Sequence, residues 1–271
     1  PPRSTLFPYT TLFRSYCFAQ YSHAYLNAGN FFDSVYVKSN IIEQLERELG
    51  ARNWKREQIN IGGVTDSYQP FEASCRLMPD VIDLAVRHSN PILIATKSAL
   101  ILRDIDRIAR LAERATVDIA VSVTTLDETL RQQLEPNASP AAERLAALKR
   151  FSDAGCRTTV LLMPILPLLT DSAESLSAVF AAAADAGAGE VVTGALNLKA
   201  RTRSGFFRFL KSRLPDTVSE YERLYMGGRL LPAYRAGLQT RLQALRKRYR
   251  FRRTAVEPEP SDGVVEPLLP F

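Results

Sequence analysis

Histidine and cysteine are both scarce. The 271 residues hold two histidines and three cysteines. His23 has no acid–base partner evident beside it and reads as structural. Cys17, Cys75 and Cys156 are scattered, which excludes a disulfide framework and fits a reducing cytosol. Long apolar runs are missing too: Val160 to Pro167, among the longest, falls far short of a bilayer crossing. A membrane anchor is not expected, and the default location is cytoplasmic.

What is present is ordinary for a globular chain. Hydrophobic residues make up 46% and charged residues 24%, and the length suffices to bury a large core without staples. The net charge of +6 is unevenly spread. Residues 241–253 hold Arg241, Arg246, Lys247, Arg248, Arg250, Arg252 and Arg253, interleaved with Tyr249 and Phe251. That composition suits a phosphate-binding stripe, and equally a solvated helix end.

From Asp33 onward, strand and helix patterns alternate. Strands are expected over 33–38, 58–62, 91–96, 117–124, 157–163 and 190–196. Helices are expected over 41–49, 71–88 with a kink or break at Pro79, 103–113, 140–153 and 172–186, with a short one after Leu126. Such alternation implies α/β architecture with a parallel sheet and right-handed crossovers. Residues 203–250 read as mostly helical, with Leu238, Leu242 and Leu245 at helical spacing. The Pro-rich polar end reads as a loose tail.

The segment Thr5 to Ser15 (TLFPYTTLFRS) is unlike ordinary protein sequence. It reads as the translation of a sequencing-library adapter, so native sequence is expected to resume at Tyr16. The expected organisation is a non-native stretch over 1–15, a barrel over 16–200, a helical extension over 201–255 and a flexible tail over 256–271.

Ligands of parallel β/α folds sit at the carboxyl ends of the strands. Those ends carry a polar set in this chain: Gly62-Gly63-Val64-Thr65-Asp66, Thr96-Lys97-Ser98, Ser122 and Thr124, Thr170-Asp171, and Asn197 with Lys199. Each is also readable as a turn, a cap or a satisfied buried hydroxyl, and Lys97 as a surface lysine.

The run Ile61-Gly-Gly-Val-Thr-Asp-Ser-Tyr-Gln-Pro-Phe-Glu72 resembles a segment of radical S-adenosylmethionine (radical SAM) proteins of the spore photoproduct lyase-like branch. Thr96-Lys-Ser98, Ser122 to Asp127, Leu134-Glu-Pro136, Pro140 and Met163 to Asp171 continue the resemblance in order, over roughly residues 16–200. It implies a partial (β/α)6 barrel of parallel strands with a C-terminal helical extension. It also implies a 4Fe–4S cluster held by a Cys-x-x-x-Cys-x-x-Cys loop, and S-adenosylmethionine cleaved to a 5′-deoxyadenosyl radical that abstracts hydrogen from substrate. Carried over by position, Cys17 is the third cluster ligand, and Tyr16 offers an aromatic surface to the adenine. Gly62 and Gly63 admit the methionine end, and Thr65 and Asp66 line the cofactor. Lys97 meets a carboxylate, and Ser122 and Thr124 meet ribose or carboxylate oxygens.

The chain also departs from that pattern. Thr10 and Arg14 stand where the other two cluster cysteines belong, so the chain as written is expected to be inactive. No cysteine follows Cys156 to act as hydrogen donor, so only the wider radical chemistry is implied, not the lyase reaction. The implied partners are an electron donor such as flavodoxin or ferredoxin and a substrate not identified by any motif, with nucleic acid one candidate. Two alternatives stay open: a non-catalytic nucleic-acid-binding barrel, and a barrel aldolase with Lys97 as its Schiff-base lysine.

Overall fold

The computed structural model describes Tyr16, residues 37–249 and Phe251. After helix α1 (Ile41–Leu49), five strands form one sheet: β1 (Ile59–Ile61), β2 (Ile92–Thr96), β3 (Val117–Ser122), β4 (Arg157–Ile165) and β5 (Glu190–Ala195). Their order is sequential and every pairing is parallel. Each crossover therefore needs a connection long enough to return to the same edge, and helices supply it. They are α2 (Glu72–Cys75) with α3 (Leu77–His88), then α4 (Ile105–Ala112), then α5 (Glu128–Leu134) with α6 (Ala141–Asp153), then α7 (Ala173–Asp185). This is the sheet of a partial α/β barrel. Of the first of the six expected strands, over 33–38, only residues 37 and 38 are described, and they carry no strand.

The main core lies between sheet and helices. Ile92, Ile94, Ile119, Val121, Val160 and Leu162 alternate along the strands and are buried against Ile82, Ile108, Leu148, Phe151 and Phe180. Apolar residues at period two meeting apolar faces at helical period give this packing.

The helical run over 71–88 breaks, but not at the proline. Arg76 takes a left-handed conformation (φ 49°) and separates α2 from α3. Pro79 then sits in the first turn of α3, where its missing N–H and fixed φ cost nothing. Glu72 accepts from the backbone N–H groups of Leu77 (3.1 Å) and Met78 (3.0 Å), so its carboxylate caps α3 from outside the helix.

Beyond β5 the chain forms α8 (Ala200–Arg213), α9 (Val218–Leu224) and α10 (Pro232–Arg248). A two-stranded hairpin, β6 (Tyr225–Met226) with β7 (Arg229–Leu230), interrupts the expected helical run. Gly227 and Gly228, both at positive φ, form its turn. Leu238 and Leu242 of α10 are buried in the main core, and Leu245 packs against it. A second core gathers Leu166, Leu196, Leu198, Phe206, Leu210, Tyr221 and Tyr225 with Tyr16 and Leu134. It joins the C-terminal helices to the segments that follow β4 and β5.

Candidate cofactor site

The loop leaving β1 is shaped by its own side chains. Gly62 has φ 94°, and a Cβ there would lie 2.2 Å from the carbonyl oxygen of Ala95. Its bareness thus serves the packing of β1 against β2. Gly63 meets nothing within 4 Å of a built Cβ and is the glycine with open space beside it. Thr65 is exposed. Asp66 is buried and turns inward, accepting from the Tyr68 N–H (2.9 Å), the Thr96 hydroxyl (2.7 Å) and the Lys97 N–H (2.7 Å). Burial pushes its carboxyl up against the lowering effect of those bonds and of Lys97. Asp66 therefore staples the loop to the end of β2 rather than lining open space.

The next polar group, Glu135, lies in the Leu134-Glu-Pro136 run but is not among the expected site residues. Glu135 follows the last residue of α5 as its C-terminal cap, just before Pro136, and both of its carboxylate oxygens are used. Oε1 accepts from the Tyr16 hydroxyl, from the Thr124 hydroxyl at 3.1 Å and from Lys97 Nζ at 2.9 Å. Oε2 accepts from Arg144 Nη2 at 3.1 Å. The Glu135 and Arg144 side chains are each 1% exposed and that of Lys97 4%, which rules out a surface lysine. Burial alone would raise the Glu135 carboxyl. The charges of Lys97 and Arg144, with the Tyr16 and Lys97 hydrogen bonds, outweigh it and hold the group down at about 2. Tyr16 is driven the other way, well above the usual phenol range, by burial and by Glu135.

Two arginines fix the turn that carries this carboxylate. Arg131 donates to the carbonyls of Glu135 (2.6 Å) and Ala138 (2.8 Å). Arg144 donates to the carbonyls of Ser139 (2.8 Å) and Ser122 (2.5 Å). The Ser139 N–H reaches the Lys97 carbonyl at 3.1 Å, closing the turn onto the end of β2.

The structure thus brings together Tyr16, Lys97 and Thr124 of the expected set, with the backbone of Ser122 at the edge. Asp66 touches the cluster only through the Lys97 backbone, and Thr65 stands outside. The Tyr16 ring is 6% exposed and lies in the second core, so it presents no open face to an adenine; its hydroxyl is spent on Glu135. Cys17, like Thr10, Arg14 and His23, lies outside the described residues.

The other cysteines sit elsewhere. Cys75 donates to Glu72 (3.2 Å), and burial, then Glu72, raises its thiol. Cys156 precedes β4, at the opposite end of the sheet from Lys97, and burial beside Asp118 pushes its thiol up to about 12. Among the described residues no group of three His, Cys, Asp or Glu side chains is placed to hold a metal ion. No described helix is long and apolar enough to cross a membrane.

Comparison with known proteins agrees with this architecture. Residues 15–177 match the Radical SAM superfamily, a span that opens two residues before Cys17. An uncharacterized protein of Mycobacterium tuberculosis is 38% identical over 239 residues, covering 87% of this chain and 70% of the relative. An uncharacterized protein of Acidianus two-tailed virus is 26% identical over 161 residues, covering 58% of this chain and 52% of its own. Among solved structures, a spore photoproduct lyase variant with bound AdoMet and dinucleoside spore photoproduct superposes with a TM-score of 0.63 at 16% identity. That match covers 87% of this chain and 70% of the lyase. The barrel, the ordered motifs at its strand ends and these matches agree: the chain belongs to the radical SAM superfamily and is a radical SAM enzyme.

Proposed function

We propose that this chain holds S-adenosylmethionine at the carboxyl ends of β1 to β3 and acts on a nucleic-acid substrate. When bound to a 4Fe–4S cluster, this cofactor supplies a carbon-centred radical for hydrogen abstraction. The observation that carries the reading is the Lys97–Glu135–Arg144 cluster. Two buried cations, Lys97 and Arg144, converge on one carboxylate at the end of β2, and Gly63, in the loop leaving β1, has open space where a side chain would stand. An amino-acid carboxylate suits that charge. Lys97 would orient it, Gly63 would admit the methionine backbone, and Thr124 would hold the pocket wall to Glu135. Lys97 is buried with its Nζ 2.9 Å from Glu135, a contact that a carboxylate-orienting role must share and a Schiff-base role must break.

The cysteines fit a three-thiolate cluster at Cys17 alone, because Cys75 and Cys156 are committed elsewhere. This polypeptide on its own is therefore expected to hold the organic cofactor without a stable cluster.

Two observations support nucleic acid. The structurally similar lyase is seen with a dinucleoside photoproduct. In this chain, residues 197–256 carry 16 lysines and arginines against Asp216, Glu220 and Glu222 as the only acids. The C-terminal helices thus bear the charge that a phosphate backbone needs.

Equilibrium dialysis with labelled S-adenosylmethionine tests the cofactor assignment. In a Lys97→Met protein whose circular dichroism and thermal melt show it folded, binding is expected to weaken about tenfold or more, the loss typical of a buried charge-assisted contact. Equal affinity in wild type and Lys97→Met would remove Lys97 from the site.

A further inference from the structure

We propose that Leu168 is a specificity-determining residue, the fixed apolar tip against which an unpaired base of the substrate packs at the mouth of the barrel. The inference rests on the nucleic-acid reading above and narrows it to a base free of the stack.

Leu168 stands in the turn that follows β4 and combines two unfavourable features. Its φ is 67°, where the Cβ of an L-residue crowds the backbone and glycine meets no such obstacle. It is also 42% exposed, although it is a leucine. The turn around it is held from several sides. The Leu166 N–H donates to the Thr170 hydroxyl (2.8 Å), and the Thr170 N–H donates back to the Leu166 carbonyl (2.9 Å). The Pro167 carbonyl accepts from Tyr221. Asp171 accepts from the Leu168 N–H at 2.8 Å with one oxygen. Its other oxygen accepts from Tyr234 (2.6 Å) and Arg241 (3.2 Å) of α10. Leu166, Pro167, Thr170 and Asp171 are all buried. These bonds over-determine the turn and keep Leu168 in a strained, outward position. The fold alone would be served as well by glycine there, so the exposed leucine points to a contact with something that binds.

The surroundings say what binds. Ligands of parallel β/α folds lie at the carboxyl ends of the strands, where this turn stands. On the same strand, Val160 and Leu162 face the helices, so Met163 lies on the inner face of the sheet. Met163 is 38% exposed, and a Cβ at Gly194 on β5 would lie 3.4 Å from it. Apolar side chains are thus exposed both inside the barrel and at its rim. Leu168 and Arg241 meet the two oxygens of one carboxylate, so the apolar tip is tied to a cation of the basic helix α10. That pairing matches a nucleotide, a flat base joined to a phosphate. Stacking covers the faces of bases in a duplex, so the leucine can meet one only where the stack is broken.

Fluorescence anisotropy on the whole chain tests this, with a labelled single-stranded deoxyoligonucleotide and a fully paired duplex of the same length. Leu168→Asn keeps the side-chain size and tolerates positive φ. It is expected to retain the wild-type melting temperature, weaken single-strand binding about tenfold and leave duplex binding within about twofold. Leu168→Met stays apolar and should keep single-strand binding within about twofold. Leu168→Gly should lose the same binding yet melt about 2–4 °C higher, because the strain is relieved. A lower melting temperature for Leu168→Gly would make Leu168 a packing residue and overturn the inference. Equal losses on single strand and duplex would overturn the unpaired base. Single-strand affinity unmoved by Leu168→Asn would remove Leu168 from the site and leave the nucleic-acid reading standing. Failure of the wild type to bind either oligonucleotide would overturn both.

Discussion

At the scale of single residues, the two adjacent glycines separate fold from function. Gly62→Ala must fit a side chain at φ 94° and 2.2 Å from the Ala95 carbonyl oxygen. It is expected to cost about 3 kcal/mol or more, or to prevent folding, because the obstacle is backbone. Gly63→Ala meets open space and is expected to change stability by less than about 1 kcal/mol while weakening cofactor binding. Thermal melts with ligand titrations would decide this, and the reverse ranking would move the open pocket away from Gly63. The site itself is only partly legible in the sequence. Lys97 and Thr124 are visible as polar residues at strand ends. Glu135 lies within the Leu134-Glu-Pro136 motif but carries no signal of its own, since a glutamate ending a helix before proline is commonplace. Its importance comes from partners brought together only by folding. Asp66, Tyr68 and Glu72 belong to the most specific motif in the chain, yet they spend their side chains on scaffolding: Asp66 on β2, Tyr68 on Asp104 (3.1 Å) and Glu72 on α3.

At the scale of elements, the parallel strands and their helices are legible because apolar residues recur at the right periods. The exceptions have local causes. The α2–α3 break depends on a left-handed Arg76, which no propensity announces. The β6–β7 hairpin does have a signal in Gly227-Gly228, but only two residues flank it on each side, too few to show an alternating pattern. This hairpin anchors the rim. Tyr225 donates to the Leu196 carbonyl (2.8 Å) and Tyr221 to the Pro167 carbonyl (2.5 Å), so side chains around the turn satisfy groups that follow β5 and β4. Gly228→Ala would put a Cβ 2.4 Å from the Leu198 carbonyl oxygen at φ 81°. It is expected to raise hydrogen exchange across α9 and α10 while leaving β2 and β3 protected. Loss of protection throughout the sheet would show that the two cores open together.

At the scale of the whole molecule, charge is segregated. Arg208, Lys211, Arg213, Arg246, Lys247 and Arg248 lie on α8 and α10, and all six are exposed. Duplex binding is expected to weaken steeply with salt. The Arg208→Gln/Lys211→Gln/Lys247→Gln/Arg248→Gln variant should lower the log–log salt slope by roughly one for each phosphate that is no longer neutralised. Fluorescence anisotropy over a salt series measures this; a slope unchanged by the four substitutions would assign the basic face to another partner. Among the described parts, the buried cluster around Glu135 has a consequence for inheritance. Removing one member strands a charge or a donor away from water, which costs far more than the cluster contributes as a set. A lineage cannot leave this arrangement by single steps without passing through a poorly folded intermediate. Relatives should therefore either retain the carboxylate with both cations or replace all three by apolar residues, and a homologue with the carboxylate alone should need another cation supplied from elsewhere in its fold.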